Sequence, residues 1–497
     1  MGKLLRNILI PWTRRRGANM KRSIILVFGT FVFLSGCTLA PKYNKPEAPI
    51  PAHWPSGAAY NEMNYPAASR GAIKAPADAP TASELSWKKF FTDEKLQQVI
   101  EMALYNNRDL RIAALNVERA RALYGIQRAE LFPAINASGA WTEQRVPADI
   151  SAESGEAMNF KQYSVNLGVS SWELDFFGRI RSLKDRALEQ YLATEQARRS
   201  AQISLMAEIT IFYLALAADH ENLKLVQSTL EAQQATYNLI RRRYEVGLSS
   251  ELDLRQAQTR MEAARVDVPK YTRQVALDEN ALNLLAGSPV PAGLLPDELN
   301  AVSAPNDTSP GMSSEVLLRR PDILQAEHGL KAAYASIGAA RAAFFPRISL
   351  TSNIGTTSDD LASLFKAGSN TWTFAPQVVM PVFDARIWSA FKATKVEREI
   401  VLAQYEKAIQ TAFREVADTL AVRGTVEKQL LAQQSLVDAV AETYRLASAR
   451  YTKGVDSYLG VLDSQRSLYA AQQGLIAFRL SRLTNMVTLY KVLGGGG

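Results

Sequence analysis

The chain has 497 residues, a formal net charge of +8, one cysteine and three histidines. Seven of its 57 Lys and Arg residues lie in residues 1–36, which contain no acid, so the remainder holds 50 bases against 49 acids. This near-neutral remainder argues against nucleic-acid binding, and a single cysteine excludes a disulfide framework within the chain.

Residues 1–36 have the pattern of a bacterial signal peptide. An apolar run at residues 24–34 follows two basic residues and is too short to span a bilayer as a stable helix. Met20 begins a complete signal peptide by itself and is the expected functional start. The Leu-Ser-Gly-Cys sequence that ends at Cys37 resembles a lipobox, so we predict that Cys37 is acylated and becomes the first residue. By resemblance to lipoprotein sorting, the absence of Asp after it favours the outer membrane.

The rest of the first half combines helical and strand patterns. Residues 37–83 are rich in Pro and Ala without periodicity and predict an extended, acylated tether. Two segments of about ten residues alternate between apolar and polar side chains, which is typical of strands with one apolar face. A stretch without Pro or Gly then predicts a continuous helix of about 100 Å, at 1.5 Å per residue. The predicted elements are helices over 87–107 and 109–132, strands at about 134–143 and 162–172, and helices over 179–246 and 250–286.

The second half repeats the first at an offset of about 207 residues. The sequence Arg-Tyr-Glu-Val-Gly at 243–247 returns as Arg-Tyr-Thr-Lys-Gly at 450–454. A period of this length indicates one large duplicated unit and not a short solenoid repeat. The second half has predicted strands at about 347–357 and 371–381 and predicted helices over 386–453 and 457–493. The predicted domains are a first repeat over 84–287, a linker over 288–315 and a second repeat over 316–497.

The long helices of each repeat are predicted to meet at a sharp turn. Gly247 and Gly454 stand where a left-handed residue would end the first long helix. Side chains that accept backbone N–H groups cap the start of a helix. The candidates for this role are Ser249 or Ser250 in the first repeat and Asp456 or Ser457 in the second.

Pro269 distinguishes the two returning helices, because the second repeat has Ile476 at the equivalent position. An interior proline removes one backbone hydrogen bond and kinks a helix. We therefore predict a local bend near Val268.

A single chain with this pattern cannot complete its own structure. Helices of almost 70 residues need lateral partners, and four amphipathic strands can neither close a barrel nor leave an open edge in lipid. Because bacterial barrels contain an even number of at least eight strands, we predict that two or three copies share one barrel.

The sequence carries no recognisable catalytic or metal-binding pattern. The histidines at positions 53, 220 and 328 are widely spaced and lack partners of metal-ligand type. Glycine-rich phosphate loops and nucleophile elbows are absent from the sequence. The acidic pair at 359–360 falls in a predicted surface loop between two strands. We expect no enzyme, no metal site and no cofactor apart from the covalent lipid.

These features together resemble the outer membrane factor family of TolC-like efflux ducts, and most closely its acylated, OprM-like branch. The resemblance covers residues 37–497, and its most specific parts are the Cys-Thr-Leu-Ala-Pro sequence at 37–41, both Arg-Tyr-x-x-Gly turns and Tyr-Leu-Gly-Val-Leu-Asp at 458–463. It implies a mainly α fold with a transmembrane β-barrel part. Three protomers, each with two structural repeats, would form a 12-stranded β-barrel in the outer membrane and a 12-helix periplasmic α-barrel.

The resemblance also implies partners and a mechanism. The homotrimer would be the passive exit duct of a tripartite efflux pump in the outer membrane of a Gram-negative bacterium, in contact with its lipids. A periplasmic adaptor protein and an inner-membrane transporter of the resistance-nodulation-division type would complete the pump. The turns that dock the adaptor would be formed by Gly247, Leu248 and Ser249 and by Gly454, Val455 and Asp456.

The periplasmic gate implied by the resemblance lies at the start of the last helix. Leu459 would form an apolar constriction, Asp463 an acidic ring around the trimer axis and Arg466 an ion pair that tethers it. A ring of carboxylates favours the passage of cations. The first repeat has Gln256 and Thr259 at the positions equivalent to Asp463 and Arg466. We therefore expect one acidic layer per protomer.

Two alternatives remain open on the sequence alone. The first is an exported coiled-coil scaffold or adaptor lipoprotein without a pore, although adaptors carry lipoyl and barrel modules and not paired alternating strands. The second keeps the duct but assigns it to type I protein secretion or metal export. The OprM-like resemblance favours the export of drugs or other small toxic compounds.

Overall fold

The structure is a computed structural model that describes residues 38–60, 85–149, 157–308 and 313–495. The signal peptide and Cys37 lie outside these ranges, so acylation stays a prediction. The chain divides into two compact units, each assembled from three parts of the sequence. The first unit comprises Met1–Pro46, Glu118–Leu192 and Glu327–Ala403, and the second comprises Glu47–Val117, Ala193–Ala326 and Gln404–Gly497.

Helices account for most of the described residues. The first repeat contains α1 (Trp87–Phe90), α2 (Glu94–Asn106), α3 (Arg108–Ala129), β1 (Ile135–Val146), β2 (Met158–Leu174), α4 (Arg179–Glu245) and α5 (Glu251–Ala286). The second repeat contains α6 (Pro321–Ala342), β3 (Arg347–Ser358), β4 (Asn370–Val379), α7 (Ala385–Thr452) and α8 (Tyr458–Val492). Short 3₁₀ turns occur at Ala292–Leu294, Leu299–Ala301, Ser314–Arg319 and Leu361–Ser363.

Equivalent elements of the two repeats have nearly equal lengths. Helices α3 and α6 each have 22 residues, and strands β1 and β3 each have 12. Helices α4 and α7 have 67 and 68 residues, and α5 and α8 have 36 and 35. Strand β2 is the exception, with 17 residues against ten in β4. The duplication read from the sequence is therefore present in the structure.

The four strands form one antiparallel sheet in the order β1-β2-β3-β4. Its two faces differ in polarity, as the alternation predicts. On the apolar face Leu167 lies opposite Ile354, which lies opposite Trp372 on the next strand. On the polar face Ser138 lies opposite Asn166. The strands overlap all four predicted ones, and β2 is several residues longer than predicted.

A β-bulge near the end of β2 explains why the alternation in the sequence stops there. The register shifts between Val169 and Trp172, and Ser171 adopts a φ of 52°. The backbone N–H of Ser171 donates to the hydroxyl oxygen of Thr351 at 3.1 Å. The extra residue places Trp172 opposite Leu350, on the same face as Val169 despite their odd spacing.

The predicted helix over residues 87–107 is interrupted, so this part of the sequence interpretation is wrong. Helix α1 ends at Phe90, and α2 begins after Asp93, whose carboxylate accepts the backbone N–H of Leu96 at 2.8 Å. The ring of Phe90 stacks on Tyr490 with centroids 4.0 Å apart. The N-cap at Asp93 and the buried stacking of Phe90 together stabilise the break more than a continuous helix would be stabilised by its extra backbone hydrogen bonds.

Residues 38–60 contain no helix or strand, yet they are packed along the helices. In the first unit, Tyr43 meets the ring of Tyr334 edge to face at 5.5 Å, and Ala40 lies against Gly338. In the second unit, Trp54 stacks on Phe413 at 5.4 Å. The described part of the predicted tether, residues 38–60, is therefore extended but packed against the helices.

The two repeats make an equivalent hydrogen bond with different side chains. Asn107 donates from Nδ2 to the carbonyl of Leu285 at 2.9 Å. In the second repeat, Arg320 donates from Nη1 to the carbonyl of Val492 at 2.6 Å. Positions 107 and 320 each immediately precede the first residue of an equivalent helix, and both acceptors lie near the end of a returning helix. The same joint therefore uses a neutral amide in one copy and a cation in the other.

Arg320 also organises the acids around it. Its guanidinium donates to both carboxylate oxygens of Asp322, at 3.0 and 2.7 Å, and to Glu415 at 2.9 Å. Burial alone would lower the pKa of Arg320, but the hydrogen bonds and charges of the two carboxylates raise it. Arg320 therefore remains charged although only 8% of the residue is exposed.

Candidate functional site at the hairpin ends

Two sharp turns join the long helices of the two repeats. Gly247 follows α4 with a φ of 79°, and Gly454 follows α7 with a φ of 72°. After each glycine, the next backbone N–H donates to the carbonyl of an arginine in the last helical turn. Leu248 donates to Arg243 at 2.7 Å, and Val455 donates to Arg450 at 3.0 Å. This is the Schellman arrangement, which requires a left-handed residue that glycine adopts without strain. The predicted helix ends are confirmed.

The helices after the two turns begin differently. The side chain of Ser250 accepts the backbone N–H of Asp253 at 3.1 Å, and the Asp253 carboxylate accepts the N–H of Ser250 at 3.2 Å. This capping box starts α5. Ser457 stands at the equivalent position of α8, but its side chain makes no capping bond. Asp456 instead accepts the guanidinium of Arg450, with Nη2 at 3.1 Å from Oδ1.

The prediction that Asp456 or Ser457 caps α8 is therefore wrong. Arg450, in the last turn of α7, binds the Asp456 carboxylate and so competes with the backbone N–H groups at the start of α8. The hydrogen bond from Arg450 lowers the pKa of the Asp456 carboxyl, so this ion pair is present throughout the neutral range. The second turn is held by an exposed ion pair, whereas the first is held by a local capping box.

Both turns present apolar side chains to solvent. Leu248 is 69% exposed and Val455 is 60% exposed. They occupy equivalent positions, one residue after each glycine. Both side chains are therefore accessible to a partner protein.

A small core behind the turns joins the ends of the four long helices. Its buried members are Ile240 from α4, Ala257 from α5 and Tyr458, Val461 and Leu462 from α8, and residues of α7 including Tyr451 pack against it. The rings of Tyr451 and Tyr458 lie 5.2 Å apart. The start of α8 therefore buries one side in this core and exposes the other.

The three predicted gate residues lie together on the exposed side of α8. Leu459 is 61% exposed, and Arg466 donates from Nη2 to Oδ1 of Asp463 at 2.6 Å. Both charged side chains are more than half exposed. At the equivalent positions of α5, Gln256 is partly exposed and Thr259 bonds its own helix backbone. Within one protomer, α8 therefore carries an acid and a base at these positions, whereas α5 carries two neutral residues.

A set of hydrogen bonds between α5 and α8 was not anticipated from the sequence. Tyr469 donates its hydroxyl to Oδ2 of Asp267 at 3.1 Å. Gln473 donates from Nε2 to the hydroxyl oxygens of Tyr271 at 2.8 Å and of Tyr469 at 3.0 Å. We call these four residues the α5–α8 seam. Their partners are about 200 residues apart, so only the four-residue spacing within each helix was visible in the sequence.

A second unanticipated cluster joins α4 to α5 through two carboxyl groups. Asp278 is 5% exposed, and its Oδ1 accepts Nε2 of Gln274 at 3.1 Å. Its Oδ2 is buried and has no hydrogen-bond donor. The Asp219 carboxyl lies beside it, and burial followed by the hydrogen bond and charge of Asp278 raises the pKa of Asp219 to about 6. One proton shared by the two acids would satisfy the buried oxygen.

This acid pair predicts that the stability of the protein falls as the pH rises through 6. The pKa of Asp219 is higher in the folded state than its ordinary value of 3.8, so the folded state holds the proton more tightly. The stabilisation is complete below about pH 4 and is lost above about pH 6. The expected loss is about 1 kcal/mol, because solvent reaches part of Asp219 and screens the interaction.

The measurement is the apparent melting temperature of the detergent-solubilised protein between pH 4.5 and 7.5. Asp278→Asn should weaken the pH dependence and should be at least as stable as the wild type at pH 7.5. The second repeat already has Asn485 at this position, donating to the carbonyl of Thr419 at 3.0 Å. Asp438→Asn is the matched control, because Asp438 also accepts a glutamine four residues earlier but is exposed. Equal slopes in all three proteins would contradict the shared proton.

The chain combines an amphipathic antiparallel sheet with two helices of 67 and 68 residues, each followed by a returning helix. This combination is typical of a subunit of an outer membrane channel. The family model described as "Outer membrane efflux protein" matches residues 99–288 and 312–495, one segment in each repeat. The chain belongs to this family. The resemblance to outer membrane factors and the fold class inferred from it are confirmed, and the outer membrane is the location.

Individual relatives match over almost the whole chain. The toluene efflux pump outer membrane protein TtgC of Pseudomonas putida is 50% identical over 479 residues, which is 96% of each chain. The antibiotic efflux pump outer membrane protein ArpC of Pseudomonas putida matches equally well, with the same identity and coverage. The crystal structure of the open state of the MtrE outer membrane channel of Neisseria gonorrhoeae has a TM-score of 0.81 and 35% identity, covering 93% of this chain and 98% of that one.

Proposed function

We propose that three copies of this chain form the exit duct of a tripartite efflux pump. The observation that carries the proposal is the sheet, because its four strands of 10 to 17 residues are long enough to cross a membrane but cannot close a barrel. Within the described residues, β1 and β4 each pair on one side only. They run in opposite directions, so β4 of one copy can pair antiparallel with β1 of the next. Twelve strands from three copies would leave no open edge.

Exposed apolar helix surface supports the same assembly. Helix α3 buries none of its residues. Its large apolar side chains Ile112, Leu115, Leu123 and Ile126 are all more than half exposed. A surface of this kind is normally covered by another subunit.

The hairpin ends are the proposed periplasmic entrance. Leu459, Asp463 and Arg466 would meet their copies around the trimer axis, with Asp463 as an acidic ring. A periplasmic adaptor would bind the two turns through Leu248 and Val455, and an inner-membrane transporter of the resistance-nodulation-division type would supply the energy. Acylation of Cys37 would anchor the chain to the outer membrane lipids. The names of the relatives support small toxic compounds such as antibiotics and toluene as the exported substrates.

The experiment that tests this proposal uses the full chain, extracted from outer membranes in detergent. We expect a trimer that dissociates on heating and conducts ions in planar lipid bilayers. Deletion of the gene from its host should increase susceptibility to antibiotics and to toluene, and a plasmid copy should restore resistance. A monomer that never conducts would overturn the proposal in favour of a scaffold without a pore.

A further inference from the structure

A cavity of about 280 Å³ lies at the end of the sheet where β2 leads into α4 and α6 leads into β3. Val379, at the end of β4, completes its wall. All of these segments belong to the first compact unit. The volume is close to the lower end of the range for small-molecule sites, which is about 300 to 1,000 Å³. A compound of one or two rings matches this size.

The charged groups of this cavity lie on the polar face of the sheet. Arg347 and Gly355 are an even number of residues apart on β3, and Gly355 lies opposite Asn166 of the polar face. Side chains at an even spacing along a strand share one face. Glu173 lies opposite Ser349 and therefore shares this face with Arg347. In the proposed barrel the apolar face meets lipid, so the polar face lines the lumen.

One carboxylate in the cavity is shared by two arginines. The Glu173 side chain is 10% exposed, and it accepts Nε of Arg179 at Oε1 and Nη2 at Oε2, both at 2.8 Å. Nε of Arg347 also donates to Oε2 of Glu173. Asp175, the other acid in the lining, accepts the backbone N–H and the Nε of Arg181. These groups together carry one positive charge in excess.

Arg347 is the cation that is accessible to a ligand. Its side chain is 63% exposed, and within the described part of the chain its Nη1 and Nη2 groups donate no hydrogen bond. Two adjacent guanidinium nitrogens match the two oxygens of a carboxylate, which they bind through parallel hydrogen bonds. Glu130 adds negative charge near Arg179, but it does not line the cavity. The open side of Arg347 therefore favours an anion, and a carboxylate in particular.

Aromatic rings form an apolar wall of the same cavity. Phe177 and Phe345 both line it, and their rings stack with centroids 4.8 Å apart and planes at 21°. Phe345 is 42% exposed, so the pair leaves ring surface available to a further aromatic group. Because stacked and edge-to-face contacts between rings add to the burial of apolar area, this wall favours an aromatic ligand over an aliphatic one of the same size.

The other repeat lacks this combination of residues. The positions equivalent to Arg347 and Phe177 are Ala134 and Asp384. Asp384 instead holds Arg386, the counterpart of Arg179, whose Nη2 donates to its Oδ2 at 2.7 Å. Each protomer therefore carries one cavity of this composition.

We propose that this cavity binds small aromatic carboxylates as they pass through the duct. The carboxylate of the ligand pairs with the Nη groups of Arg347, and its rings lie against Phe345. Glu173 and Arg179 are positioning residues, because they hold the Arg347 side chain through its Nε and leave its other two nitrogens to the ligand. The proposal rests on the proposed function, since it names a class of compound for the same duct.

The test is equilibrium dialysis of naphthoate, a two-ring aromatic carboxylate, against the full-length protein in detergent, with binding to micelles alone subtracted. We expect saturable binding with one naphthoate per chain. The neutral alcohol naphthylmethanol should bind about tenfold more weakly or worse, because it offers Arg347 no negative charge. This comparison uses the wild type only, so it does not depend on the folding of any variant.

Variants assign the binding to Arg347. Arg347→Gln should weaken naphthoate binding about tenfold or more and leave naphthylmethanol binding unchanged. Its melting temperature should stay close to that of the wild type, because Arg179 still holds Glu173 by two hydrogen bonds. Arg386→Gln is the matched control, since that side chain is 91% exposed and lies outside the cavity lining, and it should bind naphthoate like the wild type. Phe345→Leu should weaken the binding of both compounds.

The outcomes separate the site from the duct. If the protein conducts in planar bilayers but binds naphthoate no better than naphthylmethanol, the site is wrong and the duct stands. If Arg347→Gln and Arg386→Gln bind naphthoate equally well, the ligand lies elsewhere and the site is again wrong. If binding depends on Arg347 in a protein that is a monomer and never conducts, the duct fails, and with it the assignment of these ligands to export.

Discussion

Replacing Arg320 by alanine is expected to lower the stability of the protein by about 2 to 3 kcal/mol, because the change removes a buried cation together with its hydrogen bonds to charged groups. The change removes four hydrogen bonds that a side chain of very low exposure makes to Asp322, Glu415 and the carbonyl of Val492. The two carboxylates can recover some hydration, because each side chain is more than one third exposed. The carbonyl near the end of α8 loses its side-chain donor. The apparent melting temperature in detergent, followed by circular dichroism, measures the loss.

Three variants make this experiment specific. Arg319→Ala removes the same side chain from an exposed neighbouring position and should change stability by less than about 0.5 kcal/mol. Arg320→Lys keeps the charge but loses the two-pronged contact with Asp322, so its effect should be intermediate. Asn107→Ala removes the equivalent bond of the first repeat and also the helix cap that Oδ1 of Asn107 provides by accepting the backbone N–H of Leu110 at 2.9 Å, and it should cost about 2 kcal/mol. If Arg320→Ala were no worse than Arg319→Ala, the joint would not depend on the buried cation.

Replacing Asp463 by alanine is expected to raise channel open probability at least tenfold. The change removes the carboxylate that would pair with Arg466 of a neighbouring protomer in the proposed closed ring. The bond between Asp463 and Arg466 within α8 is common to both states, whereas an exposed pair between protomers contributes up to about 1 kcal/mol to the closed state alone. Three such pairs in one trimer amount to a factor of ten or more in the equilibrium between closed and open channels. The same change should reduce the preference for cations, because the proposed ring of carboxylates is gone. Single-channel recording with unequal KCl concentrations on the two sides measures both quantities.

The controls for Asp463 separate charge from closure. Asp463→Asn keeps the size of the side chain and a neutral acceptor for Arg466, so it should lose cation preference while raising open probability less than Asp463→Ala does. Gln256→Ala changes the equivalent position of the first repeat and should alter neither property. If Asp463→Ala leaves both open probability and ion selectivity unchanged, Asp463 is an ordinary surface acid.

Local patterns in the sequence were sufficient for the long helices, the four strands and their duplication, but not for the break between Phe90 and Glu94. The absence of Pro and Gly over residues 179–246 correctly predicted α4 (Arg179–Glu245), and the glycine after each Arg-Tyr motif correctly predicted the helix ends. Ser250 was one of two candidates for the first cap, and the structure selects it. Helix length, helix ends and helix caps depend on residues within a few positions of one another, so they can be predicted from a short stretch of sequence.

Contacts between distant helices could not be predicted in the same way. The bond between Tyr469 and Asp267 depends on how α5 and α8 rotate about their own axes, and helical spacing leaves that rotation undetermined. The contact between Asp219 and Asp278 could not be predicted for the same reason. Each acid is isolated in its own helix, and the sequence does not show that the two helices bring them together. The bulge at Ser171 was missed because strict alternation assumes a regular strand. Each miss is a case where packing between elements decides the outcome.

The two hairpin ends should respond differently to salinity. The turn after α7 is held by the exposed ion pair between Arg450 and Asp456, and at an ionic strength of 0.1 M charges are screened over about 10 Å. The turn after α4 is held by Ser250 and Asp253 through short bonds to the backbone, which mobile ions weaken much less. In brine the turn after α7 should therefore lose part of its restraint, although the backbone hydrogen bonds of Leu248 and Val455 still close both turns.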